Sequence, residues 1–433
     1  MLQIFNKTII LLALCFFIIS PAVVSASTQT EQQKLDLIEQ QIKAIVAAVT
    51  HLQSLIFSIL QTQVKATEPF SESDLGSIID DGIEWFKNSQ EQNGHFKYEY
   101  LPYEDKYLNA DNIVRQTGAL YLLGEVALRD SENVYELENT IEQAIAYFES
   151  LSVPGEYNGK TFRCIINKQG DNKCKLGATG LALVGILDFV KRYPAFEETY
   201  ASLINDYANH ILAMRMESKG FRSYFYIGES TQTEDESSYS NGEALLALVR
   251  FYKFNPTLEI KQVIDEIFTY IESDQVLFDV PLYLWAMAAV KDMYEIWPDE
   301  RYVEYTKSYT DWRINGFRGR RNTDHNMCAY AEGIVSAYSV LEANISQQEQ
   351  DYYMEEIDFW LNRNSKLQIA EDDIYRIAYI DEKSSFVTLE NQEQAIGGFL
   401  TGRNELTQRI DFTQHCVSSY LQKLVDIEGA TLY

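Results

Sequence analysis

The chain has 433 residues, 46% of them apolar, which suffices for one large domain or two ordinary ones. Its 36 Lys and Arg face 64 Asp and Glu, a formal net charge of −28. Such a surface repels phosphates and anionic lipid, so nucleic acid is excluded as a partner, and the acidity itself speaks to solubility rather than to fold.

Met1 to Ala26 reads as a secretory signal peptide. Lys7 is the basic flank, Ile9 to Ile19 the apolar core, and Val24, Ser25 and Ala26 the small-residue cleavage site. That core is shorter than the ~20 residues a spanning helix needs. The protein is therefore expected to be secreted or periplasmic, with no membrane span once the signal is removed. Cys15 leaves with the signal, and Cys164, Cys174, Cys328 and Cys416 remain. An even number in an exported protein fits disulfides. Cys164 and Cys174 bracket a loop with Gly170, Asp171 and Asn172 at its tip, which predicts a short ribbon closed by a bridge. Asn344-Ile345-Ser346 is a glycan sequon, meaningful in a eukaryotic host.

Leu35, Ile38, Ile42, Ile45, Val49, Leu52, Ile56 and Ile59 follow one another at spacings of three and four. That is a heptad stripe, the seam that helices bury between them in a coiled coil. Residues 27–66 are thus expected to form a helix that either joins copies of the chain into a homo-oligomer through Leu35–Ile59 or docks on the main domain. Ala66 to Asp74, with Pro69 and three acidic residues, reads as a linker, and the main domain is placed at residues 67–433.

From Asp74 the pattern is helix after helix. Ile78 to Gln90, Glu136 to Ser150, Phe196 to Glu217, Leu258 to Asp274, Glu300 to Asn315 and Gln347 to Asn362 are amphipathic or charged, as suits an outer layer. Between them lie six segments that are apolar nearly all round, each entered from a polar loop. They begin at Asp111 (DNIVRQTGALYLLGEVA), Lys175 (KLGATGLALVGILDF), Ser238 (SYSNGEALLALVRFY), Phe278 (FDVPLYLWAMAAV), Thr323 (TDHNMCAYAEGIVSAY) and Ile410 (IDFTQHCVSSYL). Each outer helix is followed by a Phe, usually after a Gly: Gly94 with Phe96, Gly159 with Phe162, Gly220 with Phe221, Gly316 with Phe317, and Gly398 with Phe399. The fourth unit has Phe278 alone. A left-handed Gly ending each outer helix and an aromatic anchor after it would account for this internal repeat of hairpins.

Six such hairpins resemble the (α/α)6 toroid of the six-hairpin glycosidase-like and terpenoid cyclase-like superfamily. The residues that carry the resemblance are the Gly-Phe ends, the openings SYSNGEALLALVRFY and RIDFTQH, and SQEQNGHF, which is similar to the Q…G.W/F repeat of the cyclase branch. The expected fold is all-α, over Asp74 to Tyr433. The resemblance implies that the loops entering the inner helices line one funnel, so that their polar residues converge. These are Asp111, Asn112, Arg115 and Gln116; Lys175 and Thr179; Tyr239, Asn241 and Glu243; Asp279, Tyr283 and Trp285; Asp324, His325 and Asn326; Asp411, Gln414 and His415.

Glu243 leads, because a carboxylate before a buried apolar run is costly without a partner. Asp411, at the start of the sixth inner helix, would oppose it across the ring, with His415 one turn on and Arg115 able to grip a substrate carboxylate. Asp111, Asp324 and Asp411 also stand where helix N-caps belong. Cys328, Cys416, His325 and His415 offer the donors of a zinc site, the alternative being a disulfide or two thiols. No cofactor is otherwise expected. The chain has no P-loop, G-x-G-x-x-G, G-x-S-x-G or aspartate-rich cyclase motif. Two functions remain: an exported glycan-active enzyme (hydrolase, lyase or uronate epimerase) with an oligosaccharide in the funnel, or a noncatalytic glycan-binding toroid multimerised by the heptad segment.

Overall fold

The computed structural model describes residues 38, 40–45, 70–229, 231–273, 278–317, 323–371, 373, 375–380 and 383–432. Contacts divide the chain into residues 1–68 and 69–433. In the first unit, residues 38 and 40–45 are helical, with Ile38, Ile42 and Ile45 exposed. The signal segment and most of the heptad stripe lie outside the described residues.

In the second unit twelve helices of 13 to 19 residues alternate between two layers. The outer ones are α1 (Glu72–Ser89), α3 (Glu138–Ser150), α5 (Glu197–Ala213), α7 (Leu258–Glu272), α9 (Glu300–Phe317) and α11 (Gln347–Ser365). The inner ones are α2 (Ile113–Arg129), α4 (Leu176–Arg192), α6 (Ser238–Phe254), α8 (Val280–Ile296), α10 (Cys328–Leu341) and α12 (Ile410–Gln422). Each inner helix packs on the next, and α12 packs back on α2, closing a ring; each outer helix packs on the inner helix before or after it. The fold is mostly helical, an (α/α)6 toroid.

The inner helices are apolar all round because they are covered all round: every residue of α4 from Leu176 to Val190 is buried. Small residues let the backbones approach. A Cβ on Gly124 of α2 would stand 2.6 Å from the Gly185 carbonyl oxygen of α4, and one on Gly185 would stand 2.7 Å from the Leu120 carbonyl oxygen.

A repeated hydrogen bond fixes four of the six returns from the outer to the inner layer. The Phe96 N–H donates to Gln116 Oε1 (3.1 Å), Ile165 N–H to Thr179 Oγ1 (3.3 Å), Phe221 N–H to Asn241 Oδ1 (2.9 Å) and Phe399 N–H to Thr413 Oγ1 (3.0 Å). All four acceptors are buried, and each is the fourth residue of its inner helix. The Phe anchors are confirmed as buried at 96, 162, 221 and 399. The glycine explanation holds less widely. Gly94 (φ 88°) and Gly159 (φ 72°) adopt the left-handed backbone, but Gly220, Gly316 and Gly398 do not. Gly159 sits in a β-turn rather than at a helix end. Gly398 is required instead by the Trp85 ring, which a Cβ there would overlap.

Among the described residues nine short strands sit in the connections of this mostly helical fold: β1 (Glu99–Leu101), β2 (Lys106–Tyr107), β3 (Ser152–Tyr157), β4 (Lys160–Ile165), β5 (Lys173–Lys175), β6 (Tyr224–Tyr226), β7 (Tyr375–Ile380), β8 (Lys383–Thr388) and β9 (Gln408–Arg409). Antiparallel pairing of β1 with β9, Glu99 opposite Arg409, ties the first connection to the start of the last inner helix. Cys164 and Cys174 are bridged, with Cα atoms 5.8 Å apart. The ribbon expected between them is reduced to one antiparallel bridge, Ile166 opposite Cys174. Cys164 lies in β4, paired with β3, and Cys174 in β5, paired with β6. Cys328 and Cys416 form a second disulfide, Cα atoms 4.7 Å apart, joining the first turn of α10 to the second turn of α12. Both thiols are thus spent, which removes the sulfur ligands of the zinc alternative.

Overpacking the α2–α4 contact should be costly. Gly124→Ala or Gly185→Ala is expected to destabilise the domain by about 1–3 kcal/mol in denaturant unfolding, with Gly76→Ala in α1, where a Cβ meets nothing and the backbone is helical, as the control that does not destabilise.

Candidate active site

The N-terminal ends of all six inner helices open into one cavity of about 510 Å³, a volume typical of small-molecule sites. Asn112, Arg115, Lys175, Tyr239, Glu243, Tyr283, Trp285, Asp411, Gln414 and His415 all line it. The other predicted residues do not, and each has a structural task. Gln116, Thr179 and Asn241 are the tethers described above. Asp111 binds Gln116 Nε2 (2.8 Å) and His95 Nε2 (3.3 Å). Asp279 caps α8, its Oδ1 accepting from Leu282 N–H at 2.8 Å. Asn326 Nδ2 donates to the Leu400 carbonyl. Asp324 accepts from Asn404, and His325 stands exposed beside Glu405.

The capping expectation is corrected elsewhere too. Asn112, not Asp111, caps α2, and α10 and α12 start after Met327 and Arg409 with no side-chain cap. Asp411 is freed from capping and held by two guanidinium groups: Arg115 Nε at 2.9 Å, and Arg409 through Nη2 at 2.6 Å and Nε at 3.0 Å. Arg115 also donates to the Tyr98 hydroxyl at 2.8 Å, which fixes its direction.

Glu243 lies in the wall, 5% exposed, its carboxyl set against Gly177 of α4 so that any Cβ there would overlap it. Burial pushes its pKa up to about 8, partly offset by Lys175. The rise does not come from Asp411 across the ring, as like-charge opposition would have it. Lys175 is shifted downward by its own burial and then by Lys173 and Arg115.

His415 faces the cavity from α12, beside Trp285 (ring centroids 5.9 Å apart). Its Nδ1 lies 2.7 Å from Oε2 of Glu332 on α10, and Glu332 is fully buried. The Cys328–Cys416 bridge holds this pair in register, because Glu332 is one turn beyond Cys328 and His415 is next to Cys416. A carboxyl oxygen accepting from Nδ1–H fixes the tautomer and leaves Nε2 to the cavity side. Glu332, Arg409, Arg313 and Tyr330 were not singled out from sequence. Glu332 did carry a signal: it is a lone carboxylate inside the apolar run CAYAEGIVSAY.

The arrangement therefore offers a carboxyl that stays protonated near neutrality, an oriented imidazole and a group of cations at one cavity. Glu243 also makes stability depend on pH. Its folded value lies above its unfolded 4.5, so the folded state holds the extra proton between about 4.5 and about 8. Stability should fall as pH rises through that window, by up to the order of 4 kcal/mol. Glu243→Gln should flatten this part of the profile, which thermal unfolding at pH 5 and pH 9 would read.

No family model and no curated protein sequence matches the chain. Solved structures do match in fold. A GH76 α-mannanase from Bacteroides thetaiotaomicron aligns over 82% of this chain and 96% of its own, with TM-score 0.56 and 10% identity. An unsaturated glucuronyl hydrolase specific for heparin aligns over 83% and 98%, with TM-score 0.55 and 11% identity. A sugar epimerase from a ruminal bacterium aligns over 81% and 98%, with TM-score 0.56 and 11% identity. The chain thus has the fold of the six-hairpin glycosidase-like toroids.

Proposed function

We propose that this protein is an exported enzyme that moves a proton on a uronate-containing oligosaccharide bound in the funnel, as a lyase or epimerase. The observation that carries the proposal is the Glu332–His415 pair opening on a cavity that also holds a neutral carboxyl and a cluster of cations. Lys175 and Arg115 pair with the substrate carboxylate, Arg115 being suited to bidentate contact. Neutralising that carboxylate acidifies the adjacent C–H. His415 Nε2 removes the proton as general base. Glu243, across the ring on α6, donates its proton either to the departing glycosidic oxygen or to the opposite face of the carbon. Tyr239 and Trp285 supply faces for sugar rings. Asp411, already neutralised by two guanidinium groups, orients Arg115 rather than attacking the substrate. That argues against the two-carboxylate arrangement of glycoside hydrolysis. The presence of a glucuronyl hydrolase and a sugar epimerase among proteins of this fold is consistent with the chemistry.

The test is turnover on a panel of uronate-containing and neutral oligosaccharides. On a uronate substrate, His415→Asn and Glu243→Gln are each expected to lower kcat by about 10²–10⁴-fold, and Lys175→Met to raise KM. Activity should fall above pH about 8, where Glu243 loses its proton. Appearance of an unsaturated product marks a lyase, and uptake of solvent deuterium at carbon marks an epimerase. Hydrolysis of neutral glycans alone, or binding with no turnover on any member of the panel, overturns the proposal.

The heptad stripe supports a further part of the proposal: copies of the chain associate through Leu35–Ile59, of which Ile38, Ile42 and Ile45 stand exposed. Light scattering should find an oligomer that becomes a monomer when residues 27–66 are deleted. A monomeric full-length chain at micromolar concentration rules the association out.

A further inference from the structure

Behind the funnel the inner ring encloses a column of polar side chains reaching toward its far end. Glu332 on α10, Ser418 on α12 and Glu125 on α2 are 0%, 0% and 2% exposed. Ser418 Oγ lies 2.9 Å from Glu332 Oε1 and 2.9 Å from Glu125 Oε2. A serine has one O–H to give. It can satisfy one of these carboxyl oxygens. The second contact closes only when the other carboxyl carries a proton and donates it to Ser418. Two ionised carboxylates around one hydroxyl would leave a pair of acceptors facing each other without hydrogen, in the barrel interior where unpaired polar atoms are most costly.

The surrounding charges favour an unequal sharing. From α2, Arg129 Nη2 donates to Glu125 Oε1 at 3.1 Å, and its Nη1 reaches Asp426 at 2.6 Å. From α12, Gln422 Nε2 also faces Glu125 Oε1, at 3.4 Å. Lys291 of α8 pairs with Asp426, and Arg250 of α6 with Asp188 of α4, so neither cation is left over. Glu125 is thus the better stabilised anion. Among the described residues, the Glu332 carboxyl pairs with His415, Ser418 and, at 3.4 Å, the Tyr121 hydroxyl, and with no guanidinium or ammonium group. Burial raises its proton affinity. At the far end Glu125 borders a second cavity of about 630 Å³.

We infer that Glu332, Ser418 and Glu125 hold one shared proton and relay protons between His415 and this second cavity. The inference rests on His415 as the proton acceptor of the funnel. At rest Glu332 carries the proton on Oε1 and donates it to Ser418, while Ser418 donates to the Glu125 carboxylate and Glu332 Oε2 accepts from His415 Nδ1–H. When His415 takes a proton at Nε2, Nδ1 passes its own to Glu332 Oε2. Glu332 then passes its Oε1 proton to Ser418, and Ser418 passes its former proton to Glu125 Oε2. One proton enters and one arrives at Glu125, so the imidazole is neutral again. The relay resets when that proton leaves by the second cavity and the chain turns back. Ser418 points its O–H at Glu125 again, the Glu332 proton returns to Oε1, and His415 returns from the Nε2–H to the Nδ1–H tautomer by exchange with solvent in the funnel.

Infrared spectroscopy of the substrate-free protein at pH 7 tests this directly, in a Glu243→Gln background so that Glu243 contributes no neutral carboxyl. A buried neutral-carboxyl band that shifts in D₂O is expected. Glu332→Gln and Glu125→Gln should each abolish that band, because either carboxamide can donate to Ser418 and leave the remaining carboxyl ionised. A band that survives in either variant, or none in the parent, overturns the shared proton. Near-UV circular dichroism checks that each variant is folded. Should Glu332→Gln not fold, Glu125→Gln decides alone, since it leaves Glu332 in place. No substrate is needed. A failed glycan panel therefore leaves this result standing, while an active enzyme with no such band refutes the relay and leaves the proposed function intact.

Discussion

The ring is closed by helices that have no solvent face, and this is the constraint on which everything polar depends. A side chain on α4 or α6 that carries a dipole or a charge must reach a loop, the funnel or the axis, because no surface is left to it. Gln116, Thr179, Asn241 and Thr413 take the first course and receive one loop N–H each. Arg115, Glu243 and His415 take the second. Glu125, Glu332 and Ser418 take the third. The fold and the site are thus one solution to a single problem of polar burial.

That view explains how much was legible beforehand. The two layers, the order of hairpins and the buried Phe after most outer helices follow from apolar periodicity, a local property of the chain. Apart from the ribbon marked by Cys164 and Cys174, the strands did not show, because two- to six-residue ladders in connections carry no period long enough to read. Among the site residues, the polar openings of inner helices gave Arg115, Tyr239, Glu243, Trp285, Asp411 and His415. They also gave Gln116, Thr179 and Asn241, which differ from the others only in facing the returning loop rather than the cavity. One or two residues around the helix separate those two fates, as between Arg115 and Gln116, and residue type alone does not resolve it. Glu332 and Glu125 lie beyond the helix openings, and their signal is of another kind: each is a lone acid in an apolar run.

Charge is distributed against the grain of the whole molecule. A chain of net charge −28 gathers Arg115, Lys175, Arg313 and Arg409 around one cavity. The four acidic residues there do not cancel them fully, because Glu243 holds its proton near neutrality. The six inner-helix N-termini add partial positive charge at the same place. An acidic exterior around a cationic funnel repels anions in general yet favours one that can enter and be desolvated there, which is selection by both shape and charge.

Three buried carboxyls along the inner ring show how differently the same cost is met. Glu125 is met by a cation, Arg129, which belongs to a set of ion pairs at the far end. Glu243 has Lys175 in its field but no ion pair with it among the described residues, and keeps its proton. Glu332 lies between these limits, with an imidazole on one oxygen and a shared hydroxyl on the other. Its proton is therefore the one most easily moved by a change at His415. A residue that is neither firmly charged nor firmly neutral contributes little to stability, since removing an unpaired charge or satisfying it fully would serve the core better. Its place one turn below the Cys328–Cys416 bridge, in contact with the imidazole that faces the funnel, fits chemistry better than packing.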